Sequence, residues 1–420
     1  MLSVVYPHGY RSALAIMCSP LQLLRVHITL TSSFKTELCL RGCKMSDLYI
    51  LNEKFETHAI VDTYKSFIWT ERYYEAGDFE IVVPASKQAL EIFKDGYYIE
   101  YPDLTKDIPG LTPQVCVIEK REIATDVETG NVLTISGRDA LSYLDRRIIW
   151  KQTNIKGKFI DGIKALLDAN VINPSDANRK MPISWIDPKT KAMDNYKIDA
   201  QYLGESLYDT LVNLAKSYHV GMEMYPLLDD REGVFNFHLY QGANRSYSQT
   251  DNSYVVFSPQ FDNLINANWI NGSADWKNTT LIGGEQDENK HRKYTAIADN
   301  GSYYSGINRR EIFTDASGVS SKIEGTDKTM SDAEYTQKLV QAGKDTFAEH
   351  QIDTSFEGKA ETTRMFRYNH DFFMGDIVEV IDAYGNQSSS RITEFVHSED
   401  ENGTDSYPTF TSLDKKELTK

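Results

Sequence analysis

The sequence predicts a β-rich α+β fold in several domains. Strand-like alternation dominates both ends of the chain, two amphipathic helices lie together in its middle, and 420 residues with 40% apolar side chains supply more than one core. A formal charge of −16 opposes broad contact with phosphate backbones or anionic lipid, so nucleic acid is not an expected partner.

Residues 1–44 differ from the rest. They carry Arg11, Arg25, Lys35, Arg41 and Lys44 against Glu37 alone, and hold Cys18, Cys39 and Cys43. Arg11 before the apolar runs 13–17 and 21–24 fits a secretory signal, but Cys18, Ser19 and Pro20 break the run and no small-x-small cleavage site follows. The expectation is a non-native N-terminal extension, with translation starting at Met45; a targeting segment is the alternative. After Met45 only Cys116 remains, which excludes an intrachain disulfide or a cysteine zinc site there. No apolar run approaches the ~20 residues of a membrane span.

Residues 45–149 read as a first β domain. Phe79, Ile81 and Val83 alternate with Glu80 and Val82 until Pro84, and 115–123 with 132–136 form a hairpin about the turn formers of 126–131. One short helix is expected over 86–93, with Ala89, Leu90 and Phe93 on one face. Residues 150–242 read as α+β. Phe159, Ile160, Ile163, Leu166 and Leu167 share a helical face, as do Leu207, Tyr208, Leu211, Leu214, Ala215 and Tyr218, with Gly221 ending the second helix. Strands at 222–225 and 234–240 flank a turn at 229–233. Residues 243–420 return to β, with strands at 255–258, 279–283, 292–297, 375–380, 391–396 and 407–411. They also hold an inserted helix over 331–350, opened by the capping box of Ser331 and Glu334. Turns are expected at 382–386 and 401–403, where Asn402-Gly403 is the sharpest hairpin signal in the chain.

The chain has no phosphate loop, no Gly-x-Gly-x-x-Gly turn, no His-Glu-x-x-His pair and no Gly-x-Ser-x-Gly elbow. Its densest histidine neighbourhoods are His350 with Asp353, His370 with Asp371, and His397 with Glu399 and Asp400. Each offers at most two ligands at useful spacing where a metal needs three or four, so surface or helix-cap roles are expected. The acidic run 399–405 suggests a calcium loop, but Gly403 stands at the wrong offset, and a solvated hairpin tip is the expected reading. Among 25 tyrosines, the pairs Tyr73-Tyr74, Tyr97-Tyr98 and Tyr303-Tyr304 fit sugar stacking, or else core and subunit contacts; the second is expected, one ring of each pair facing the core. No catalytic, cofactor-binding or metal-binding residue is assigned.

Trp69-Thr-Glu-Arg72-Tyr-Tyr-Glu-Ala-Gly77-Asp-Phe79-Glu-Ile-Val-Val-Pro84 is followed by Val117-Ile-Glu119, by Leu133-Thr-Ile-Ser136-Gly137-Arg138-Asp139 and by Arg146-Arg147-Ile148. Together with residues 204–218, 257–263, Arg309-Arg-Glu311 and Gly375-Asp376-Ile-Val-Glu-Val, these resemble siphophage tail-tip hub proteins, the Gp37-like or baseplate hub tail proteins of phages and prophages of Gram-positive bacteria. The resemblance runs through nearly everything after Met45.

It implies two β-barrel-like hub domains, at 45–149 and 243–420, about an intervening α+β domain. It also implies a structural, non-enzymatic homotrimer with no cofactor. The trimer would link the tail tube or distal tail protein to the tape measure protein and to tail-tip or receptor-binding proteins. Such a protein is assembled in the host cytoplasm and resides in the virion. Many relatives carry a C-terminal cell-wall hydrolase, expected to be missing here because the sequence stops soon after its last predicted strand. The competing readings are a carbohydrate-active hydrolase using two carboxylates as acid and base or nucleophile, and a host-surface adhesin.

Overall fold

The computed structural model describes residues 45–102, 114–126, 130–188, 191–227, 234–287, 290–301, 304–323, 328–359 and 365–413. The extension 1–44, the turn 229–233, the centre of the 126–131 turn, Tyr303 and residues 414–420 lie outside them.

In the first segment, alternation of apolar residues yields strands β1 (Leu48–Leu51), β2 (Thr57–Val61), β3 (Ser66–Arg72), β4 (Asp78–Pro84), β5 (Tyr98–Glu100), β6 (Val115–Asp126) and β7 (Gly130–Asp139). Successive strand side chains face opposite ways, so Phe67 and Trp69, then Phe79, Ile81 and Val83, then Leu133 and Ile135 gather on one side in a shared core. Each such burial is worth roughly 1.5–3 kcal/mol. The expected hairpin is β6 with β7, antiparallel. The expected helix is α1 (Lys87–Ile92), where the Ser86 hydroxyl accepts from the Ala89 N–H and Ala89, Ile92 and Phe93 are buried; Leu90 is only half-buried.

The middle segment contains β8 (Thr153–Lys158), α2 (Phe159–Leu167), β9 (Ile183–Ile186), β10 (Lys197–Tyr202), α3 (Leu207–Tyr218), β11 (Gly221–Pro226) and β12 (Phe235–Tyr240). Strands β8 and β10 form one small sheet and β11-β12-β9 another. The apolar faces read from the sequence meet between them: Phe159, Ile163, Leu166 and Leu167 with Leu207, Leu211, Leu214 and Ala215. Gly221 does not end α3. His219 does, in the left-handed region at φ 55°, and Gly221 is already the first residue of β11. The glycine is needed for space, because a Cβ there would stand 2.3 Å from the Tyr73 ring and 2.8 Å from that of Tyr240.

The last segment supplies β13 (Val256–Phe257), β14 (Ile265–Gly272), β15 (Thr279–Gln286), β16 (Arg292–Ala298), β17 (Glu311–Asp315), α4 (Asp332–Glu349), β18 (Asp353–Lys359), β19 (Ile377–Ile381), β20 (Gln387–Asp400) and β21 (Gly403–Ser412). The capping box forms as read: Ser331 Oγ accepts from the Glu334 N–H, and the Glu334 carboxylate accepts from the Ser331 N–H. The β20–β21 hairpin also forms, with Glu401-Asn402 as its loop and Gly403 opposite Asp400 at φ 140°.

One sheet runs through both ends of the chain. Its order is β14-β18-β21-β20-β3-β4-β7-β6-β5-β1-β2, with β19 joining β20 and β13 joining β19. The central bond in that order is β20 against β3, in register from Glu394 opposite Arg72 to Asp400 opposite Ser66. Among the described residues no sheet closes into a barrel. A separate three-stranded sheet, β16-β15-β17, packs on α4, whose Gly343 lets Ile282 and Ile297 approach closely.

Candidate functional site

Polar and aromatic side chains concentrate where the three segments meet. Tyr73, immediately after β3, is fully buried, and its hydroxyl donates to the carbonyls of His219 and Tyr240, 3.3 Å each. Gly221 and Gly375 press against its ring, the latter at φ 85°, where an L side chain is strained and a Cβ would stand 2.2 Å from the ring. The Arg391 guanidinium lies 5.5 Å from the ring centroid and donates to the Gly375 carbonyl at 2.8 Å. One tyrosine thus touches all three segments. Tyr74 packs edge-on against it at 4.7 Å, while Tyr98 is buried beside a half-buried Tyr97, so both described pairs place one ring in the core.

Carboxylates surround this junction. Burial pushes Glu71 up to about 7, although the Tyr368 hydroxyl donates to it. Burial likewise raises Asp139 to about 7, against the N–H groups of Gly77 and Leu141 at 2.7 and 2.8 Å. Glu223 is raised by burial too, with Gln114 donating at 3.2 Å. Raised carboxyl pKa values are what a glycoside hydrolase would need. Here hydrogen bonds from the chain itself engage the carboxylates, and Asp139 caps the 3-10 turn Ala140–Arg146.

A second polar cluster fastens the β3–β20 seam. Glu399 is 4% exposed and accepts from Ser46 N at 3.0 Å, Tyr64 Oη at 2.5 Å and Tyr101 Oη at 3.3 Å; His397 Nε2 lies 3.0 Å away. His397 is also buried, with Nε2 2.7 Å from the Tyr101 hydroxyl and Nδ1 2.7 Å from Ser406 Oγ. Burial opposes the Glu399 charge, yet the bonds from His397, Ser46 and Tyr64 outweigh it and hold the carboxyl down at about 2. The surface role expected of His397 and the solvated tip expected at Glu399 are therefore corrected. Strand alternation turns both inward, while Asp400, Glu401 and Asn402 stay exposed. The alternation of His397 and Glu399 with Ser398 and Asp400 was the available signal, masked by the polarity of all four.

The other histidine neighbourhoods remain apart from these clusters. His350 is the C-cap of α4, as expected, and Asp353 opens β18. His370 and Asp371 meet at 2.9 Å on an exposed turn. Among the described residues no group of three or more His, Cys, Asp or Glu is placed to hold a metal, and no helix is long and apolar enough to cross a membrane.

Two shallow grooves open on sheet faces. One, of about 480 Å³, crosses β3, β4, β7 and β6 past Ile68, Glu80, Ser136 and Lys120. The other, of about 370 Å³, lies on the outer face of β16-β15-β17 between Leu281, Ala296 and Phe313, beside the Arg309–Glu311 ion pair. Ile68, Leu281 and Phe313 are 39–49% exposed. Neither groove contains the carboxylates with raised pKa.

Comparison with known proteins adds a family and a fold. A family profile described as Siphovirus ReqiPepy6 Gp37-like protein matches residues 47–410. No curated protein matches the chain in sequence. Among solved structures, the 43 kDa tail protein of prophage MuSo2 from Shewanella oneidensis is similar at TM-score 0.52 and 14% identity, over 87% of this chain and 98% of that one. The tail protein from Neisseria meningitidis MC58 is similar at TM-score 0.50 and 13% identity, over 87% and 95%.

Proposed function

The chain belongs to the Siphovirus ReqiPepy6 Gp37-like protein family, and from that premise we propose that it is a structural, non-enzymatic component of a phage tail, the hub of the tail tip. The observation that carries this reading is the family match from residue 47 to residue 410, which takes in the first strand and nearly all of the last. In this reading the hub is a homotrimer of the virion. Each subunit offers two β-barrel-like units, from residues 45–149 and 243–420, toward the tail tube or distal tail protein, and holds the tape measure and receptor-binding proteins beyond.

The internal architecture supports a scaffold. Tyr73 and Glu399 tie distant segments together, and the open grooves lie on sheet faces where protein surfaces can dock. Light scattering on the purified protein tests the assembly: a mass of three subunits supports the trimer, and a monomer at every concentration, also when mixed with its neighbouring tail proteins, refutes it. Release of reducing sugar from host wall glycan by the pure protein would replace the structural reading with a hydrolytic one.

A further inference from the structure

Residues 273–352 enter from the end of β14 and leave into the start of β18, and those two ends, Gly272 and Asp353, are paired with each other. Everything between them, β15, β16, β17 and α4, hangs on this two-stranded stalk. The unit has its own small core of Ile282, Ala316, Val319, Tyr335 and Leu339, separate from the apolar cluster of the middle segment. Where α4 and its flanking loop meet the middle segment, the hydrogen-bonded contacts are polar. Lys338 Nζ, buried, reaches Asp199 Oδ1 at 3.3 Å and donates to the Ala200 carbonyl at 3.1 Å. Tyr202 Oη donates to Asp345 at 3.2 Å, Asn213 Nδ2 to Glu349 at 2.7 Å, the Ser320 N–H to Gln201 at 2.5 Å, and Gln152 Nε2 to the Lys322 carbonyl at 3.3 Å.

Two cores joined by a polar seam and a single stalk form a hinged pair, since polar interfaces between units permit relative motion by default. We propose that residues 273–352 are a hinged module that docks on the middle segment through α4 and undocks as a rigid body about the Gly272–Asp353 stalk.

The seam also gives the motion a direction with pH. Burial pushes Asp345 from an ordinary 3.8 up to about 6. The groups facing it are Gln341, Lys344 and Glu349 of α4, Tyr202 of β10 and Tyr218 of α3. Those facing Lys338 are Asp199 of β10, Lys156 of β8 and Glu334 of α4. A carboxyl whose pKa is higher in the docked state favours docking when protonated. The advantage is complete below 3.8 and lost as pH rises through about 6. Two pH units correspond to a docking constant up to about 100-fold weaker at neutral pH.

The test places donor and acceptor dyes on azide-bearing residues at exposed positions 165 and 317 of the full chain and reads single-molecule energy transfer from pH 4 to pH 8. A docked population giving way to a second, less-transferring one as pH rises supports the module. Asp345→Asn should abolish that pH dependence, and Lys338→Met should enrich the second population at every pH while circular dichroism stays unchanged. A single population across the whole range in the unsubstituted chain overturns the proposal, whether or not either variant folds. A second population that appears only together with loss of the circular dichroism signal overturns it as well.

Discussion

Replacing Glu399 by Gln tests the seam between the chain's two ends. The carboxylate receives bonds from Ser46, Tyr64 and Tyr101, with His397 at 3.0 Å, and lies 4% exposed, so solvent screens little of the effect. Its pKa falls from 4.5 to about 2. A depressed carboxyl pKa contributes stability that is fully present above the unfolded value and lost as pH falls toward the folded one. The difference corresponds to about 3 kcal/mol at neutral pH, of which about 2 kcal/mol is gone by pH 3. The amide of Glu399→Gln keeps the shape, carries no charge, and turns an N–H₂ toward groups that themselves donate. Urea unfolding followed by tryptophan fluorescence from pH 7 to pH 3 should find the variant less stable by about 3 kcal/mol at pH 7, with the gap to the unsubstituted protein holding down to about pH 5 and shrinking to about 1 kcal/mol at pH 3. A gap that stays constant over that range would refute the assignment of the seam's strength to the Glu399 charge.

Three further outcomes follow from the central junction. Gly221→Ala should destabilise the fold by at least about 2 kcal/mol in thermal unfolding, because its Cβ would stand 2.3 Å from the Tyr73 ring in a packed core. Tyr73→Phe should cost about 1 kcal/mol or less, since only two 3.3 Å bonds are lost, whereas Tyr73→Ala should cost about 3–5 kcal/mol. Glu71 titrates the other way from Glu399: its pKa is raised from 4.5 to about 7, so its favourable contribution is full below 4.5 and lost as pH rises through 7. Glu71→Gln should therefore match the unsubstituted protein near pH 3.5 and exceed it by up to about 3 kcal/mol at pH 8 in urea unfolding.

Elements whose signal is local are legible in the sequence. The alternation of 79–83, the two amphipathic helices, the Ser331–Glu334 cap and the C-terminal hairpin each depend on neighbours within a few residues, and each forms. The pairing of β3 with β20 was not readable, because Glu394 and Arg72 are 322 residues apart and nothing in either strand names the other. The same distance hides the candidate site. Tyr73 looks like any tyrosine until Gly221 and Gly375 close on it, and the buried His397 and Glu399 look solvated because polar residues that face inward leave no hydrophobic pattern. The end of α3 differs from the sequence expectation for a related reason: Gly221 serves a contact with Tyr73, while His219 takes the left-handed conformation that usually marks a glycine.

A three-dimensional reconstruction of intact tail particles, with subunits identified by mass spectrometry, tests the structural role most directly. Three copies of this chain arranged as a ring at the tail tip, with the grooves along β3–β4 and β15–β17 at or near protein contacts, are the expected result. Particles that are complete and infectious without the chain, or that carry it in a number incompatible with threefold symmetry, would contradict it.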